Sequence, residues 1–251
     1  MPEFQLIAHR GFPQRYPDNS LSGIIAALDA GATYLEVDVQ LSTSGTPYLF
    51  HDESLKRVSG FEGKLVELDD EGVSKLRASE AARFGEQFAD EPIAKLRHLA
   101  QELSLRPEVF TFVEIKPIAL DTFGVGHVVE KVAECLKDLE GKVAIISFSA
   151  PCLRAVRELT SHPIGLILET WEQLETDARE LNGEYIFCNH EKLPAQGQIK
   201  MDAKLAVYEV IDPTLATKLV ERGAQFVETF NYPEMSAALG LNKTPRKRSR
   251  R

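Results

Sequence analysis

Three acids lie inside two apolar runs of this chain, Leu35-Glu36-Val37-Asp38-Val39 and Val113-Glu114-Ile115-Lys116. Strand side chains alternate, so Glu36 and Asp38 share one face while Leu35, Val37 and Val39 share the other. Glu114 and Lys116 share a face in the same way. If the apolar positions face covering helices, the acids face inward, where an unpaired carboxylate is costly. Three inward carboxylates on adjacent strands form a set of hard oxygens that suits Mg²⁺ or Ca²⁺, whereas zinc would want His or Cys. Two plainer readings compete. A solvated strand face is disfavoured because the alternate positions are apolar and the strand reads as internal to a parallel sheet. A buried ion pair of Lys116 with Glu114 or Glu36 would satisfy one acid and leave two.

His9 and His51 each end a strand-like run. One neutral and one protonated imidazole near the carboxylates would give a general base and a general acid near pH 7, in either order. Arg10 and Lys116 add positive charge, and together with an oxygen-ligated cation they point to an anionic substrate group, phosphate above carboxylate. Glu169, Asn189 and His190 end other strand-like runs and could line the same mouth. His98, His127 and His162 fall in helix or loop patterns and are expected at the surface. Cys188 alternates with Ile186 and reads as core.

Strand-like runs cover residues 6–9, 34–42, 47–51, 111–116, 143–148, 164–169, 185–190, 204–210 and 226–230. Helical patterns cover 19–30, 93–105, 127–139, 152–160, 177–181, 213–222 and 233–239. Such alternation predicts parallel strands with crossover helices. With 47–51 counted as an extra strand, eight strand–helix units remain, the number of a (β/α)₈ TIM barrel. An open doubly wound sheet is the competing fold. The sixth connection, 191–201, is a poor helix with Pro194 and Gly197 inside it. Residues 52–91 break the alternation and read as an insertion on the barrel of residues 1–242, with short helical pieces at 74–76 and 80–84. Because it follows His51 directly, the insertion is expected to cap the mouth and limit the room for a leaving group.

The 251 residues are 43% hydrophobic and 27% charged, an ordinary globular composition. The net charge of −9 includes six Lys or Arg within residues 243–251, and without those six the body carries −15. Such a body repels nucleic acid and anionic membranes, so neither is an expected partner. The basic tail is expected to be disordered. Cys135, Cys152 and Cys188 fit neither a disulfide framework nor a zinc site. No apolar run approaches the roughly 18 residues of a membrane span, and the first residues lack a secretory signal pattern. A cytoplasmic location with reduced thiols is the expectation, and the oligomeric state is open.

The ordered set His9-Arg10-Gly11, Pro17-Asp18-Asn19-Ser20, Gly31 to Val39, His51-Asp52 with Leu55 and Arg57, Val113-Glu114-Ile115-Lys116-Pro117 and Ser147-Phe148 resembles the glycerophosphodiester phosphodiesterase family. The resemblance is strong over 6–60 and 111–167 and weak from 170 onward. It implies a barrel with a small insertion after the HD motif. It also implies His9 and His51 as acid and base, Glu36, Asp38 and Glu114 as ligands of one divalent cation, and Arg10 and Lys116 on the substrate. The implied reaction is hydrolysis of a glycerophosphodiester to glycerol 3-phosphate and an alcohol. Removing one carboxylate, by Glu36→Gln or Asp38→Asn, is expected to abolish activity with little loss of fold.

The chain departs from the family pattern at Asp18, where Glu is usual, at Tyr208, where Trp is common, and at Phe230-Asn231, where Thr-Asp usually precedes Tyr-Pro. These positions bear on substrate more than on reaction. Two other functions remain open: a phospholipase D-like enzyme acting on lysolipids, and a non-catalytic phosphate- or metal-binding barrel.

Overall fold

Runs of alternating residues become strands because their two faces find different apolar partners. The computed structural model describes residues 4–241. Its strands are β1 (Gln5–His9), β2 (Tyr34–Leu41), β3 (Pro47–Leu49), β4 (Phe110–Ile115), β5 (Val143–Ser147), β6 (Ile164–Leu168), β7 (Tyr185–Asn189), β8 (Lys204–Tyr208) and β9 (Phe226–Thr229). All but β3 run parallel, in the order β1-β9-β8-β7-β6-β5-β4-β2, and β1 pairs with β2 to close the ring. The fold is therefore a closed (β/α)₈ barrel, and the open sheet is excluded. β3 lies antiparallel on β2, with Val39 opposite Leu49.

Outward residues such as Leu6, Leu35, Val37, Val113, Ile145, Cys188 and Val227 join the helices in one large core. Inward residues Ile7, Phe112, Ala144, Ile146, Ile167, Tyr185, Phe187, Ala206 and Phe226 form a second cluster that fills the barrel. Phe112 sits at its centre, with ring centroids 4.9 Å from Tyr185 and 5.0 Å from Phe187. One step further along four of the strands the inward position turns polar: Ile7 gives way to His9, Phe112 to Glu114, Phe187 to Asn189 and Phe226 to Glu228. Register aligns these steps, pairing His9 with Glu36 and Asp38 with Glu114. A dry aromatic plug thus floors a polar mouth at the strand C-terminal ends, where barrels carry their sites.

The helix expected from 93 begins only at Leu96, because Ala94 and Lys95 stay extended. Ala94 O accepts Leu49 N–H at 2.8 Å, and Lys95 bridges Tyr48. The sixth connection forms only a short 3₁₀ turn, His190–Lys192. His162 is buried rather than exposed, because it enters the β5–β6 pairing beside Pro163, whose carbonyl accepts Ile145 N–H.

Residues 52–91 form several short helices, among them Asp70–Ser74 and Ala81–Phe84. The helical piece expected at 74–76 lies earlier in the chain, because Asp69 caps it by accepting Gly72 N–H at 2.8 Å. Leu55, Val58, Leu65, Val73 and Ala78 pack with Tyr48, Phe50 and Ile93 in a small core of their own. The insertion leans on the loop after β1, with Phe88 5.5 Å from Tyr16 and Arg83 3.3 Å from Asp18. It flanks the mouth instead of capping it, and none of residues 52–91 lines the central cavity. Among the described residues, no helix is long and apolar enough to cross a membrane. The basic segment 243–251 lies outside the described residues.

Candidate active site

The chain turns sharply after His9. Arg10 takes φ +52° and Gly11 φ +86°, and a Cβ at Gly11 would stand 2.8 Å from Ile24 N, so only glycine fits. This turn aims His9 into the mouth and folds the Arg10 side chain across it. Asn19, also left-handed at φ +57°, clamps Asp38 twice: Asn19 Nδ2 donates to Asp38 Oδ2 at 2.9 Å, and Asp38 N–H donates to Asn19 Oδ1 at 3.1 Å.

Asp38 is the electrostatic centre. Its carboxylate lies 3.0 Å from Arg10 Nε and 3.3 Å from Lys116 Nζ, and Lys116 Nζ is 2.7 Å from Glu114. Burial pushes the Asp38 carboxyl up, but Arg10 and Lys116 outweigh it and hold it well below the usual range. Glu36 lacks such partners. Burial, then Asp38 and Glu228, push it well above the ordinary glutamate value. Burial and Asp38 push Glu114 up to about 7. Burial and Arg10 lower His9, favouring its neutral ring.

His9 Nε2 is 3.6 Å from Glu36 Oε2, and its ring stacks on Phe230 with centroids 4.4 Å apart. His51 stands across the mouth with its Nδ1 2.8 Å from Asp52 Oδ1. The loop carrying it is pinned by Gln40, whose Nε2 donates to His51 O at 3.2 Å and Asp52 O at 2.7 Å. The shared cavity is about 270 Å³. Its charged side carries His9, Arg10, Glu36, His51, Glu114 and Glu228, and its other side carries Phe148, Phe187, Asn189, Tyr208 and Glu209. Two larger grooves of about 580 Å³ lie elsewhere on the surface, away from these carboxylates.

The residue set fits a divalent cation. Glu36, Asp38 and Glu114 each offer an oxygen, and these oxygens lie within 4.8 Å of one another. Glu36 Oε1 is buried without a hydrogen-bond partner, the condition of an atom built to meet a positive charge. The donors are all hard oxygens.

All seven residues singled out from sequence come together here: His9, Arg10, Glu36, His51 and Glu114 line the cavity, and Asp38 and Lys116 pair with Arg10 and Glu114 beside it. Of the lesser candidates, Asn189 lines the cavity, Glu169 is exposed and His190 opens the 3₁₀ turn outside it. His98 and His127 are exposed, and Cys188 is buried in the outer core. Glu228 was missed. It is 2% exposed, and its Oε2 lies 4.0 Å from His9 Nδ1. The signal was available, because Val227 faces outward with the apolar set, which turns Phe226 and Glu228 inward by the alternation already used for β2.

The chain resembles known proteins along nearly its whole length. A model of the glycerophosphoryl diester phosphodiesterase family matches residues 9–227. A glycerophosphodiester phosphodiesterase of Caldanaerobacter subterraneus is 32% identical over 189 residues, covering 72% of this chain and 75% of that protein. The match to mouse glycerophosphodiester phosphodiesterase 1 is 36% identical over 110 residues and spans 33% of that longer protein. Among solved structures, an Oleispira antarctica phosphodiesterase in complex with the product sn-glycerol-3-phosphate superposes with TM-score 0.83 at 22% identity, covering 94% of this chain and 96% of that one. A glycerophosphodiester phosphodiesterase from Agrobacterium tumefaciens superposes with TM-score 0.75 at 19% identity, over 93% and 99%. On the length of the family match and the identity to the Caldanaerobacter enzyme, this chain belongs to the glycerophosphoryl diester phosphodiesterase family.

Proposed function

We propose that this chain is a metal-dependent phosphodiesterase that hydrolyses glycerophosphodiesters to glycerol 3-phosphate and an alcohol. The observation that carries this reading is the convergence of two imidazoles, Arg10, Glu36 and Glu114 on one 270 Å³ mouth, with Asp38 and Lys116 paired directly to that lining. Family membership supports the reaction, and the bound product named for the Oleispira relative supports the small phosphorylated ligand.

Glu36, Asp38 and Glu114 would hold one divalent cation, Mg²⁺ or Ca²⁺, which would supply Lewis-acid stabilisation of phosphoryl charge. Arg10 and Lys116 bind the phosphate and offset the charge that grows on it as the P–O bond breaks. His9 and His51 handle the two protons, one taken from the attacking oxygen and one given to the leaving alkoxide. Asp52 accepts from His51 Nδ1–H, so Nε2 is the nitrogen presented for proton exchange. Phe230 fixes the plane of His9 by stacking.

The three cysteines are unpaired, which supports a reducing, cytoplasmic setting. The acidic body speaks against nucleic acid and stable membrane association. A small, water-soluble diester suits the size of the cavity, although the insertion does not enforce that limit as a cap would. The test compares kcat/KM for glycerophosphocholine and glycerophosphoethanolamine with that for a lysophospholipid below its micelle threshold. Faster turnover of the short diesters is expected. Faster turnover of the lysolipid would favour the phospholipase D-like alternative.

A further inference from the structure

His51 and His9 are held by different means. The His9 side chain is 7% exposed and stacked, whereas that of His51 is 32% exposed and depends on Asp52 for its direction. Asp52 is gripped by Arg57, whose Nε and Nη2 lie 2.6 and 3.0 Å from its two oxygens, a two-point fork that sets the carboxylate plane. The Arg57 side chain is itself 41% exposed, and a long exposed side chain holds one rotamer only if something anchors it.

The anchor lies in the insertion. Glu80 is 1% exposed although it sits in a polar surface excursion, and it takes φ +40°, a left-handed conformation that is strained for a non-glycine residue. Its backbone N–H is fixed to Val58 O at 2.8 Å. Both of its oxygens are engaged. Oε1 accepts Asp18 N–H at 2.7 Å and stands 3.3 Å from Arg57 Nη1, and Oε2 meets Arg83 Nη1 at 2.5 Å. Asp18 in turn reaches Arg57 at 3.1 Å and Arg10 at 3.4 Å. One buried carboxylate of the insertion therefore connects to the supports of both His51 and Arg10.

We propose that Glu80 is a positioning residue for the proposed reaction: it fixes the Arg57 fork, so that Asp52 holds the His51 ring toward the substrate. The insertion then serves as a brace for the site. This role rests on the proposed function and differs from a purely structural one, in which Glu80 would only fasten the insertion to the barrel.

Glu80→Gln keeps the shape and the acceptor for Asp18 N–H but removes the charge facing Arg57. It should lower kcat roughly 10- to 100-fold with KM changed less than about twofold, as expected when a reacting group is misaimed. In an Asp52→Asn background, where the relay is already cut, adding Glu80→Gln should have little further effect on kcat. An unchanged kcat in Glu80→Gln, or the same fractional loss with and without Asp52→Asn, would overturn the proposal. Thermal melting accompanies each variant. If Glu80→Gln melts below the assay temperature, Arg57→Lys, which leaves Glu80 in place and cannot fork, carries the same test with the same expected loss. A wild-type chain inactive on every diester would reject the proposed function and this role with it. An active wild type with unimpaired variants would reject this role alone.

Discussion

Glu228 Oε2 stands 4.0 Å from His9 Nδ1, while the other ring nitrogen, Nε2, faces Glu36 at 3.6 Å. The imidazole is thus set between two buried carboxyl groups, and Glu228 Oε1 has no hydrogen-bond partner. Burial pushes the Glu228 carboxyl well above its ordinary value. The folded chain therefore keeps a proton that the unfolded chain releases, and stability falls as pH rises above the unfolded value of about 4.3. Glu228→Gln should raise the melting temperature in EDTA, and the gain should grow from pH 5 to pH 8. A gain independent of pH, or a loss throughout, would contradict the burial of an unpartnered acid here.

The cation site should show a related pH dependence. Glu36 and Glu114 are both raised, Glu114 to about 7, so the metal-free protein should lose stability as pH rises above the unfolded value of about 4.3, because the unfolded chain ionises these groups while the folded chain keeps them protonated. Asp38 behaves oppositely. Its lowered value gives stability that is present above the unfolded value of about 3.9 and lost only in stronger acid. A cation binds the ionised carboxylates, so the melting shift caused by saturating Mg²⁺ or Ca²⁺ should be larger at pH 8 than at pH 5. Scanning fluorimetry with each ion and with EDTA decides this, and an equal shift at both pH values would count against the carboxylates as ligands.

The two β2 acids should not be equivalent. The sequence alone suggested that removing either would leave the fold intact. Asp38, however, is the carboxylate that Arg10 and Lys116 share and is clamped by Asn19, so Asp38→Asn breaks two buried ion pairs, leaving Arg10 only Asp18 and Lys116 only Glu114, and should cost about 3–5 kcal/mol. Glu36→Gln removes an acid with no strong cationic partner and should leave the metal-free protein as stable or more so. Denaturant unfolding of both variants in EDTA tests the difference, and equal losses would contradict the central place of Asp38. Activity should vanish in both.

His9→Ala and His51→Ala should each lower kcat by roughly 10² to 10⁴. His9→Ala should also lower the melting temperature, because its ring is buried against Phe230, whereas His51→Ala should not. The reverse order of stabilities would place the two rings wrongly.

Much of the barrel was legible because a two-residue period separates its faces: Leu35, Val37 and Val39 go to the helices, and Glu36 and Asp38 go to the axis. Glu228 follows the same rule but escaped notice, because its strand is short and its neighbours Thr229 and Phe230 blur the alternation. The Glu80 network was not legible at all. It depends on a left-handed backbone residue and on contacts to Asp18, which is 62 positions away, and no local pattern announces such a pairing. His162 reads as a surface loop residue because its burial comes from strand pairing between β5 and the segment entering β6, a tertiary effect.

The most direct test of the central claim is ³¹P NMR of glycerophosphocholine incubated with the wild-type chain, with Mg²⁺ or Ca²⁺ and again with EDTA. A growing glycerol 3-phosphate signal is expected, dependent on the cation and absent in EDTA and in Glu36→Gln. Release of phosphocholine instead, or hydrolysis indifferent to EDTA, would contradict the central claim.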